Sequence, residues 1–150
     1  MLHRHPFLSL VTLAYLGFVA WLTLTPGSAA PTQSDLVLRV LARLQAYDEL
    51  SWLTYDRAEF LANVALFVPV GLFLLLLFGT RLWWIAAAAA FAMTAAIETA
   101  QRSIPGRVPD ERDLVANTAG ALVGIVIGVV LTLPATLRRG RARRARRAAA

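Results

Sequence analysis

Four uninterrupted apolar runs, Phe7–Leu24, Phe60–Phe78, Leu82–Ala100 and Leu114–Leu133, constrain this 150-residue chain more than any other feature. Each comes close to the ~20 residues that an α-helix needs to cross a bilayer. The apolar residues come in blocks, and at 58% of the chain they exceed what a soluble domain of this size carries. The expected fold is an all-α integral membrane protein, with four transmembrane helices in a compact bundle. The spans are placed at about 7–25, 60–78, 82–101 and 114–133, within one membrane domain over 1–137. The remainder, 138–150, is an Arg-rich cytoplasmic tail.

Charge orients the spans. All fifteen basic residues are arginines; nine lie at Arg4, at Arg81 or in the tail after Leu137, segments with no acid. Every one of the nine Asp and Glu falls between Asp35 and Asp113. Because arginine-rich segments stay on the cytoplasmic side, this predicts a multi-pass plasma-membrane protein with both termini cytoplasmic. The aromatics agree, Trp83 and Trp84 standing at the inner interface and Trp21, Tyr47, Trp52 and Tyr55 near the outer one.

Several segments receive a structural reading. The first run, followed by "GSAAP", is similar to a cleavable signal peptide, but its apolar core of 18 residues is longer than an ordinary one. It is expected to be retained as the first span. Between the first two spans, Ser34 or Asp35 can cap a short amphipathic helix with Leu36, Val40, Leu41 and Leu44 on one stripe. That helix is placed in the first outer loop, on the membrane face. The tail, with seven arginines in ten residues, is expected to be weakly structured through self-repulsion. Its role is read as topological and lipid-attracting, and no nucleic-acid partner is expected. With no cysteine and only His3 and His5 for imidazole, no metal site and no cofactor is expected.

The polar residues inside the spans are the informative ones, since a charge at mid-membrane is costly. Asn63, Glu98 and Asn117 each lie about a turn inside the outer end of a span. Each has a polar neighbour at helical spacing: Glu59 with Asn63, Gln101 with Glu98, Asp113 with Asn117. Three helices thus offer polar groups at one level. Within the second span Pro69 deprives the Ala65 carbonyl of its usual donor. In the fourth, Gly120, Gly124 and Gly128, preceded by Ala116 at the same interval, form a small-xxx-small row that packs into the bundle or supports a homodimer. The loop "RSIPGRVPDERD" adds Arg107 and Asp110, which can pair, while Arg102 or Arg112 can neutralise Glu98 or Asp113.

"NVALFVPVG" (63–71), "ETAQ" (98–101) and "RVPDERDLVANTAGALVG" (107–124) resemble the three signature blocks of the VanZ-like membrane proteins. "TLTP" (23–26) is similar to the end of that family's first helix, which also argues for a retained first span. The resemblance marks Asn63, Phe67, Pro69, Gly71, Glu98, Gln101, Arg107, Asp110, Asp113, Asn117, Thr118, Gly120 and Gly124. The family's namesake is associated with low-level resistance to the glycopeptide teicoplanin, so the resemblance implies a role at the cell envelope.

Three functional readings follow. In the first, Asn63, Glu98, Gln101, Arg107, Asp110, Asp113 and Asn117 form an outward-opening site. It would bind or modify a lipid headgroup, a cell-wall precursor fragment or a lipophilic glycopeptide. In the second, Glu98 or Asp113 is the acid or base of an intramembrane enzyme acting on a lipid-linked substrate, or the acids hold a divalent cation. In the third, the polar cluster only ties helices together. A transporter is disfavoured because the cytoplasmic halves of the spans carry no polar relay.

Overall fold

A computed structural model describes residues 6–25, 33–50, 52–104 and 110–148, with 33–35 and 135–148 described as helical backbone. Its order is α1 (Pro6–Leu24), α2 (Gln33–Leu44), α3 (Tyr55–Phe78), α4 (Trp83–Gln101) and α5 (Glu111–Ala148), with 3-10 turns at Asp48–Leu50 and Thr80–Leu82. The described residues contain no strand. Four of the helices are long and apolar enough to cross a membrane, over Pro6–Leu24, Tyr55–Phe78, Thr80–Gln101 and Glu111–Pro134. The expected all-helical four-span bundle is the fold observed.

α3 is the hub. It packs on all four other helices, and its interface with α5 is the most extensive in the molecule. The reason is steric. A Cβ built on Gly120 would fall on the Val64 carbonyl, one on Gly124 would lie 2.8 Å from the Leu72 nitrogen, and one on Gly71 would fall on the Ala121 carbonyl. The α3 positions facing Gly120, Gly124 and Gly128 ascend with them, from Val64 through Val68 to Leu72 and Leu75, so α3 and α5 run parallel. Small side chains let two backbones approach this closely, and packing supplies the attraction that lipid cannot. The small-xxx-small row is therefore spent within the chain, the intramolecular one of its two expected uses.

The remaining core is ordinary: Val19, Phe67, Val70, Leu75, Ala86 and Ala90 are almost fully buried. The outward face of α5, including Val115, Val126, Val130 and Leu131, is exposed, as a lipid-facing surface must be. α1 belongs to the bundle. Tyr15 donates a 2.8 Å hydrogen bond to the Leu66 carbonyl of α3. That extra donor arrives one residue beyond Ala65, whose carbonyl Pro69 was expected to leave free. α3 ends at Gly79, whose φ of 87° admits glycine most readily and turns the chain into α4.

The α2 stripe expected at Leu36, Val40, Leu41 and Leu44 is present: all four, with Val37, line one apolar cleft, Val37 and Leu41 being buried and Leu36 and Val40 exposed. One expectation needs correction. The arginine tail was expected to be weakly structured, but α5 continues as helix to Ala148. Ala and Arg are strong helix formers, and extending an existing helix avoids the nucleation cost. Those terms outweigh arginine repulsion that water screens.

Candidate functional site

The two parallel helices begin at the same end of the bundle, where α4 finishes. Their N-termini carry Asp56 in the first turn of α3 and Glu111 and Asp113 in that of α5. Unpaired amides and aligned dipoles make such helix starts favourable for carboxylates, so parallel packing gathers acids here. Asp110 precedes α5: its carboxylate accepts from the Arg112 amide at 2.9 Å and its carbonyl from the Asp113 amide at 2.9 Å. It is exposed and acts as a helix cap.

The interior polar groups meet in pairs across helices. The Asn63 side-chain amide of α3 donates to the Asp113 carboxylate of α5 at 2.5 Å. About one turn deeper, the Asn117 amide donates to the Thr94 hydroxyl of α4 at 2.9 Å. Gln101 turns to α1 instead and donates to the Thr23 carbonyl at 3.0 Å. Asn63, Glu98, Gln101 and Asn117 are all buried. The single polar level expected from the sequence is thus two tiers plus a separate tie to α1. Thr94 was not singled out in the sequence, because a threonine in an apolar run ordinarily bonds its own helix and carries no signal of an interhelical partner; Thr23 takes part through its main-chain carbonyl, which no side-chain pattern reveals.

Not everything in the deeper tier is satisfied. Asn117 Oδ1 and Thr118 Oγ1 are buried with no hydrogen-bond partner among the described residues. At the upper tier Arg112 lies 3.8 Å from Asp56, with both side chains more than half exposed. The neutralising arginine therefore reaches Asp56, a partner not expected from the sequence. Glu59 accepts a hydrogen bond from the Tyr55 hydroxyl at 3.0 Å. Arg107 lies outside the described residues.

Among the described residues, this end of the bundle has a small crevice and a larger cleft. A crevice of about 10 Å³ is lined by Asp56, Glu59, Phe60, Asp110, Arg112 and Asp113. It admits one water-sized group. Among the described residues no cluster of three His, Asp or Glu side chains could hold a metal ion. The larger space, about 380 Å³, is an apolar cleft between α1, α2 and α3, walled by residues such as Leu22, Val37, Leu41, Ala62 and Leu66. The site residues expected from the sequence do not line it. Asp110 and Asp113 face the crevice, while Asn63, Glu98, Gln101 and Asn117 stand inside the bundle.

The family signature becomes intelligible on this geometry. Asn63, Gly71, Asp113, Gly120 and Gly124 all sit on the α3–α5 seam, and Phe67 is fully buried. A family model described as VanZ/LLP1 matches residues 12–132, which run from α1 through the membrane part of α5. The chain belongs to the VanZ/LLP1 family. No curated protein and no solved structure matches it. The VanZ/LLP1 match thus spans the seam, both polar tiers and the cleft, and leaves outside the first turns of α1 and the end of α5 with its arginine segment.

Proposed function

We propose that this VanZ-like protein sits in the plasma membrane with both termini cytoplasmic, and that its polar end faces outward and engages a cell-envelope ligand. The observation that carries this reading is the meeting of Asn63 and Asp113 beside an open crevice. Asp113, in the first turn of α5, accepts from Asn63 on one side and lines the crevice on the other, so the same carboxylate that joins two helices also faces outward. The crevice walls hold four carboxylates and one guanidinium among the described residues. That balance suits a ligand presenting N–H or O–H donors, as amino, amide and hydroxyl groups of wall precursors, lipid headgroups and glycopeptides do. The small volume means that one polar group enters while the rest of the ligand lies across the rim.

Teicoplanin susceptibility of a host expressing the chain tests this. Asp113→Asn and Glu98→Gln are each expected to return the host to the susceptibility of an empty-vector control, with unchanged amounts of inserted protein. Full retention of a wild-type phenotype by both variants would sink the reading.

A second reading is favoured by the hydrogen bonds themselves: Asn63–Asp113, Asn117–Thr94 and Gln101–Thr23 each join two different helices. On it the cluster fastens the bundle and no ligand binds. Its signature is a lowered melting midpoint in detergent for every substitution, with no midpoint raised by added teicoplanin.

A further inference from the structure

The apolar cleft is not used by either reading above. Specific small-molecule sites combine apolar walls with a few placed polar groups, over volumes of roughly 300–1,000 Å³. At about 380 Å³ this cleft has the size, but all its lining residues are aliphatic. Water has nothing to bond there, and a ligand with a polar body would lose its hydrogen bonds on entry. What fits is hydrocarbon.

The surroundings say which hydrocarbon. One wall is α2, a helix of 12 residues, too short to span a bilayer, and the others are two spans. Val37, Leu41 and Leu53 are buried in the wall, whereas Leu36, Val40 and Leu61 are about half exposed and continue the apolar surface outward over the rim. Arg39 and Arg43, exposed on α2, follow Leu36 and Val40 at helical spacing of three and so flank that rim. Guanidinium groups beside the mouth of an apolar slot complement a phosphate joined to an acyl chain.

We propose that the cleft between α1, α2 and α3 holds one acyl chain of a bilayer phospholipid, with α2 lying across it and its arginines toward the headgroup. The occupant is held lipid, distinct from lipid that merely coats the exposed face of α5.

The test uses the full chain in vesicles containing phosphatidylglycerol with a photoreactive diazirine on one acyl chain, and adducts mapped by mass spectrometry. Adducts on Val37, Leu41 and Leu66 are expected to exceed those on the lipid-facing Val126 and Leu131 several-fold. Ala62→Trp, which fills the cleft, is expected to lower the cleft adducts several-fold and leave Val126 labelled as before. Ala58→Leu is the milder filling, and carries the same expectation if Ala62→Trp lowers the melting midpoint. Evenly spread adducts, or cleft adducts that survive both fillings, would each overturn the proposal. The labelling is done without glycopeptide and reads residues outside the crevice, so its failure leaves the ligand reading of the polar end intact.

Discussion

At the scale of single residues, the polar side chains differ in what their loss should cost. Asn63→Ala removes an interhelical hydrogen bond to Asp113. Such bonds in membrane proteins contribute roughly 0.6 kcal/mol on average and up to about 1.7. Asn63→Ala is expected at the upper part of that range, because a half-buried carboxylate is left short of a donor. Gln101→Ala, which frees the Thr23 carbonyl in the interior, is expected to behave similarly. Arg112→Ala should change the melting midpoint little, since its contact with Asp56 is long and exposed. Detergent melting of the three variants side by side checks the order, and an Arg112→Ala loss equal to that of Asn63→Ala would contradict it.

At the scale of elements, the decisive contact is backbone against backbone along α3 and α5. Gly71→Ala and Gly124→Leu place atoms on the facing main chain, which cannot step aside. Overpacking of this kind costs about 1–3 kcal/mol or more, and the helices must separate to accept it. Both variants are expected to melt well below the wild type or to be degraded in cells. Gly17→Ala is the control on α1, where an added Cβ meets nothing within 4 Å. It should leave the midpoint unchanged or raise it slightly, because alanine is the better helix former. Equal tolerance of Gly17→Ala and Gly71→Ala in the same melting assay would show that the seam is not close-packed. The same seam explains the acids: a parallel pair held this tightly brings two helix N-termini together, and carboxylates offset their joint positive field.

At the scale of the whole molecule, four crossings and an arginine-rich end give a topology prediction. The chain has no cysteine, so single cysteines report sidedness cleanly. A cysteine at Asp48 is expected to react with an impermeant maleimide on intact cells, and one at Ala150 only after permeabilisation. Replacing the seven arginines after Leu137 with glutamine should produce a mixed population, because the charge bias expected to hold this end in the cytoplasm is then weakened. Labelling of Ala150 on intact wild-type cells would reverse the assignment, and with it the outward placement of the polar end.

The sequence by itself determined the helical fold, the number of spans and the family. Each follows from signals confined to one segment: an apolar run long enough for the bilayer, or polar and glycine residues at helical spacing. It also placed Asn63, Glu98 and Asn117 at interior positions, since a polar residue in an apolar run is conspicuous on its own. Only the tertiary structure decided their partners. Thr94 and Thr23 take part because α4 and α1 happen to face Asn117 and Gln101 across the bundle, and spacing along one helix says nothing of rotation about another. The glycine row named a close contact but not its partner, and that partner is α3 of the same chain. The apolar cleft was invisible in the sequence for the same reason: its walls come from separate helices whose leucines and valines read as ordinary membrane residues until the fold brings them together around one space.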